Sequence, residues 1–134
     1  PFVSSDSFSG SRLYNVTADD ERLVMKRINL SQDWISIVAE DQLCRSVRVW
    51  QYGLLDRIQP HMDHAIVAAC SDGDEYALLM RDVSEGLFYN KEIAPRTIYT
   101  LLDALAAMHA MFWEDEALKT PELGLCTPDH RSCR

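Results

Sequence analysis

Lys26 is the most chemically conspicuous residue of this 134-residue chain. It lies in the middle of the stretch Glu-Arg-Leu-Val-Met-Lys-Arg-Ile-Asn-Leu, residues 21–30. The stretch reads as a short β-strand, with Val24, Lys26 and Ile28 on one face and Leu23, Met25 and Arg27 on the other. An ammonium at the centre of such a strand either snorkels to water from a sheet edge or serves a bound anion. Upstream, Ser9, Gly10 and Ser11 belong to a run of small residues with the composition of a hairpin turn. His61, Asp63 and His64 are of metal-ligating types, but without further ligands they read as a solvated loop. Cys44, Cys70, Cys126 and Cys133 show no CxxC pair and no zinc spacing, so they are expected to be buried or free thiols.

The elements that must position these groups follow from the hydrophobic pattern. Residues 11–17 alternate, with Leu13, Asn15 and Thr17 on one face and Arg12, Tyr14 and Val16 on the other. The segment Thr-Ala-Asp-Asp-Glu is a polar turn into the lysine strand, giving a β-hairpin, and an earlier short strand is expected near Phe2–Ser4. Ser31 or Asp33 then caps a helical stretch whose apolar residues are Trp34, Ile35, Ile37 and Val38. Leu43, Val47, Trp50, Leu54 and Ile58 trace one face of a second helix, stopped by Pro60. Ala65–Cys70 reads as a buried strand, Ser71–Glu75 as a turn, and Tyr76–Val83 as the antiparallel partner. After a linker, Pro95 opens a long helix over about 96–113, with Ile98, Leu101, Leu102, Leu105, Met108, His109 and Phe112 along it. The remainder is polar and irregular and offers that helix no apolar partner, so the chain is expected to end inside a larger protein. The order of elements predicts an α+β lobe with about five short antiparallel strands and a crossing helix.

Composition narrows the function. Thirteen basic against 21 acidic residues leave a net charge of −8, which argues against nucleic acid as a partner. No run approaches the ~18 apolar residues of a membrane span, and no leader pattern opens the chain, so a cytoplasmic location and no membrane partner are expected.

This order, with a lysine in the third expected strand, resembles the N-terminal lobe of the protein-kinase-like fold. It is most similar to the aminoglycoside phosphotransferase and choline-kinase side of that fold. The resemblance is carried by Ser-Asp-Ser-Phe-Ser-Gly-Ser-Arg-Leu-Tyr-Asn-Val (residues 5–16) as a strand–turn–strand phosphate flap and by Arg22–Arg27 as the lysine strand. It extends to Leu78–Gly86 as the hinge and to Leu101–Trp113 as the first large-lobe helix. It implies a nucleotide-binding lobe over residues 1–82, a hinge and linker over 83–94, and the start of a truncated second lobe over 95–134. It also implies ATP as cofactor, with Lys26 on the α- and β-phosphates and Ser9, Gly10 and Ser11 at the flap tip beneath Phe8. Val24 would form the adenine ceiling and Met80 the back of the pocket. The carbonyl of Arg81 and the amide of Val83 would bond the adenine edge, while Asp82 and Ser84 cap the turn that follows.

The same resemblance marks what is missing. The glutamate that would hold the lysine is replaced by Ser46. Glu40, a candidate substitute, lies six residues back, which on a continuous helix turns it about 240° away. The base-bearing loop and the carboxylates for magnesium would follow the long helix. His61–Met62–Asp63 precedes the hinge, and Asp129–Arg134 follows the helix too closely to serve, so no catalytic and no metal residue is assigned. His109 is expected to be a hydrogen-bonded packing residue that supports the catalytic loop in intact relatives. The expectation is therefore a nucleotide-side piece of a small-molecule phosphotransferase that transfers no phosphate alone and binds ATP weakly or not at all. The alternative is a catalytically dead pseudokinase remnant or interaction module whose exposed long helix seeks a partner or self-associates.

Overall fold

The computed structural model describes residues 9–58, 61–87 and 92–125. Two hairpins build one sheet. Strands β1 (Arg12–Ala18) and β2 (Glu21–Ile28) are joined by Asp19 and Asp20, both at positive φ, as a two-residue turn that follows the strand twist requires. Strands β3 (Ile66–Asp72) and β4 (Glu75–Arg81) form the second hairpin, with an irregularity between Ile66 and Ala68. Antiparallel pairing of β2 with β4 joins the hairpins in the order β1-β2-β4-β3. The fold is thus α+β on a four-stranded antiparallel sheet. The sequence reading of about five strands is corrected to four among the described residues, and the strand expected near Phe2–Ser4 lies outside them.

Between the hairpins run α1 (Trp34–Val38), α2 (Arg45–Gln51) and α3 (Leu54–Arg57). Asp33 caps α1, its side chain accepting the Ser36 N–H. Against expectation, α1 turns Ser36 inward and leaves Trp34, Ile35, Ile37 and Val38 more than half exposed. The single helix expected over 43–58 is broken in two. Gly53, at φ +67°, ends α2 and starts α3, so the apolar face continues across a bend. Val47, Leu54 and Ile58 are buried as the pattern required, with Cys44 added to them. The core joins Ile28 and Leu78 of the sheet to Cys44 and Val47 of the α2 region, with Ile66, Tyr76 and Met80 packed around it.

The longest helix, α4 (Pro95–Met111), begins with Pro95 in its first turn. Its N-terminal half is open: Ile98, Tyr99, Leu101 and Leu102 are exposed. Its C-terminal half shares an apolar hollow with Val49, Leu54, Leu55, Ile58, Leu118 and Leu125. The tail read as irregular forms two short 3-10 helices, Glu116–Lys119 and Pro121–Leu123, and Leu118 and Leu125 line that hollow, while no residue of α4 is buried. Leu123 is fully buried, and Arg45 donates to the Gly124 carbonyl and, at 2.8 Å, to that of Ala39. Arg57 pairs with Asp115 and lies 4.7 Å from the centroid of the Phe112 ring. Among the described residues no helix is long and apolar enough to cross a membrane.

Candidate functional site

The face shared by Val24, Lys26 and Ile28 is the inner one. In register they meet Met80, Leu78 and Tyr76 of β4, all part of or packed against the core. Lys26 lies directly between Leu13 of β1 and Leu78 of β4, so β2 is a central strand and the edge-strand explanation of the lysine does not apply. Lys26, a half-buried residue, lines a cavity of about 190 Å³ with Ser9, Ile28, Asp33, Ile35, Ser36, Asp41, Cys44 and Ser46. Ser46, on α2, therefore faces the same space as Lys26. No ion pair of Lys26 forms among the described residues.

The Ser9–Gly10–Ser11 turn does not project freely. It lies on the start of α1, where the Trp34 N–H donates to the Ser9 carbonyl at 2.9 Å. Ser11 donates to Asp33 Oδ2 at 2.6 Å, and the Ser9 and Ser11 hydroxyls are 3.1 Å apart. Ser9, Ser11, Asp33 and Ser36 are all buried, a polar cluster that satisfies itself. Burial alone would raise the Asp33 carboxyl, but hydrogen bonds from Ser11, Ser9 and Ser36 hold it down at about 2. Gly10 is fixed by two constraints: φ is +93°, and a Cβ there would come within 2.8 Å of the Gln32 carbonyl oxygen. Phe8, expected to cover this turn, lies outside the described residues.

Asp41 belongs to the same cavity and was not singled out from the sequence. Its carboxylate accepts the Leu43 N–H at 3.1 Å and the Arg45 N–H at 2.9 Å, ordering the entry to α2. Asp41 lies three residues before the N-cap position, Cys44, so the usual cap signal did not single it out. Glu40 sits at positive φ between α1 and α2, so the continuous-helix reckoning of its direction does not hold. The Cys44 thiol, 1% exposed, is pushed up by burial. It is drawn down by the Ser46 hydroxyl, and to smaller degrees pushed up by the charge of Asp41 and drawn down by that of Lys26.

At the other end of β2 and β4, Val24 and Met80 are register partners and half-buried. The Arg81 N–H bonds the Ala65 carbonyl at 2.8 Å, and its guanidinium reaches Asp63 and the His64 carbonyl, each at 2.6 Å. Asp63 is thus an ion-pair partner, its carboxyl lowered chiefly by the Arg81 hydrogen bond. The His64 ring lies 3.6 Å from Asp56. Asp82 accepts the Ser84 N–H at 3.0 Å, the turn expected there, and Arg22 pairs with Asp82 at 3.7 Å. Val83 is half exposed, and its N–H donates to none of the described residues. His109 is exposed at the rim of the hollow formed by Met108, Phe112 and α3 rather than enclosed. Cys44 and Cys70 are free thiols, and Cys126 and Cys133 lie outside the described residues.

The residues singled out therefore fall into two groups. Ser9, Gly10, Ser11 and Lys26 surround or adjoin the cavity, while Val24, Met80, Arg81 and Val83 mark the far end of β2 and β4. Comparison with family models, curated proteins and solved structures gives no match for this chain.

Proposed function

We propose that this chain supplies the nucleotide-side lobe and hinge, with the first helix of the second lobe, of an ATP-dependent phosphotransferase acting on a small hydroxyl-bearing molecule. The observation that carries the reading is the place of Lys26: a half-buried residue on the inner face of a central strand, lining a cavity opposite α2. A cation facing that space is placed to attract a bound anion. The chain's own residues fit a nucleotide in part. Lys26 offers the cation for phosphate oxygens, Val24 and Met80 an apolar pair for a base, and Val83 a backbone donor beside them. Asp33 and Asp41 place negative charge near Lys26, which opposes phosphate binding and agrees with the weak affinity expected of this lobe. ATP with magnesium would bring the transferable phosphoryl group when bound. The groups that activate the acceptor and hold the metal are not assigned within this chain.

The test is an ATP titration followed by backbone amide shifts. Shifts saturating in the millimolar range should cluster at residues 24–26 and 80–83 and vanish in Lys26→Ala. Shifts scattered over the surface, or unchanged in that variant, overturn the reading. No phosphate transfer is expected from the chain alone, and turnover lost on Lys26→Ala would overturn that expectation.

A second reading, a catalytically inert interaction module on the same scaffold, is favoured by Ser46, which brings no charge to the Lys26 cavity from α2. The source reading frame beyond residue 134 separates the two. A catalytic-loop aspartate and a metal aspartate within roughly a hundred residues favour the enzyme, and a stop codon favours the module.

A further inference from the structure

We propose that Asp41 is the counter-charge that positions Lys26, standing in from the entry of α2 for the charge that Ser46 lacks. As a charge pair this holds whatever the chain binds; as a role in phosphate chemistry it rests on the phosphotransferase reading.

The neighbours of Lys26 within the sheet are apolar, Leu13 on one side and Leu78 on the other, so its compensation must come from across the cavity. Two carboxylates line that space, Asp33 and Asp41. Asp33 is committed elsewhere: Oδ2 accepts Ser11 at 2.6 Å and Oδ1 accepts the Ser36 N–H at 2.9 Å. Among the described residues the Asp41 carboxylate accepts backbone N–H groups, Oδ1 from Leu43 and Arg45 and Oδ2 from Arg45, which hold it in place and leave acceptor capacity on Oδ2. The cavity that both residues line, about 190 Å³, has room for about six waters, so the pair acts through that space rather than by direct contact. The buried Cys44 sulfur between the helix and the sheet lies within reach of both charges. A carboxylate anchored at a helix entry is stiffer than one on a glutamate stem, so the ammonium is held with little loss of side-chain freedom.

A double-mutant cycle tests the pair. Asp41→Asn keeps a capping acceptor for the α2 amides while removing the charge, and Lys26→Met keeps the apolar stem. In urea unfolding at low salt, the effect of Asp41→Asn on the unfolding constant should differ by about threefold or more between wild-type and Lys26→Met backgrounds. The difference should shrink at high salt, and Asp33→Asn should act equally in both backgrounds. Additive effects at Asp41, or coupling at Asp33 instead, overturn the proposal. The swap Lys26→Glu with Asp41→Lys gives a second measure: it should be more stable than either single variant, and a swap no better than the worse of them also overturns the proposal. The ATP titration separates the two readings. An additive cycle with Lys26-dependent shifts removes only the role of Asp41, and a coupled cycle without such shifts removes only the phosphotransferase.

Discussion

Asp33 illustrates how a single side chain ties the candidate flap to the helix layer. It caps α1, accepts from Ser11 and is 4% exposed, yet remains ionised because its hydrogen bonds outweigh the burial that would raise it. Its carboxyl is depressed from 3.8 to about 2, so its contribution to stability is fully present above about pH 4 and is lost as pH falls toward 2. That contribution is roughly 2 kcal/mol, and urea midpoints measured between pH 5 and 2 should fall less steeply in Asp33→Asn than in wild type. Gly10 gives a second expectation at this scale. Alanine there meets the Gln32 carbonyl and is strained at positive φ, so Gly10→Ala should lower stability by about 2 kcal/mol in urea unfolding. The sequence made the Ser-Gly-Ser turn and a helix cap at Ser31 or Asp33 legible separately. It gave no hint that they bond each other, because 22 residues separate Ser11 from Asp33 and only the fold brings them together.

Among the elements, the second helical pattern and the tail diverged most from their sequence signals. Periodicity identified the buried face of residues 43–58 but not its interruption, since Gly53 interrupts the backbone while the apolar spacing runs on. The tail lacks any periodicity, yet Leu123 is fully buried beside α2. Leu123→Ala should therefore cost about 3 kcal/mol. Leu101→Ala, on the 53%-exposed half of α4, should stay within about 0.5 kcal/mol. Equal effects in urea unfolding would contradict this contrast between the buried tail and the open face of α4. The α1 helix carries a related lesson. Its four large apolar residues lie outward because a five-residue helix is oriented by its cap and by Ser36 rather than by an apolar stripe.

At the scale of the whole molecule, two hairpins made of local contacts become one sheet through the β2–β4 pairing. On the outer face an ion-pair cluster spans the same joint: Arg27 bonds Asp72 and Glu75, each at 2.7 Å, and Arg12 bonds Glu75 at 2.9 Å. Glu75, with 17% of its side chain exposed, links Arg12 and Arg27 of the first hairpin to the second. Glu75→Gln should lower stability by about 1 kcal/mol at low salt and by less at high salt, as screening weakens the charges it loses. An effect independent of salt would assign its role to packing instead.

By itself, the sequence determined the local events: both hairpins and their turns, a cap at Ser31 or Asp33, the Pro95 helix start and the alternation that puts Val24, Lys26 and Ile28 on one face. Each depends on residues a few positions apart, where backbone preference and periodicity act directly. Tertiary structure alone decided that β2 is central, that its lysine face turns toward α2, that Asp41 and Ser46 share the cavity, and that the tail closes over α2. Those outcomes depend on contacts between distant segments, in which packing and charge select one arrangement from several that the local pattern permits equally.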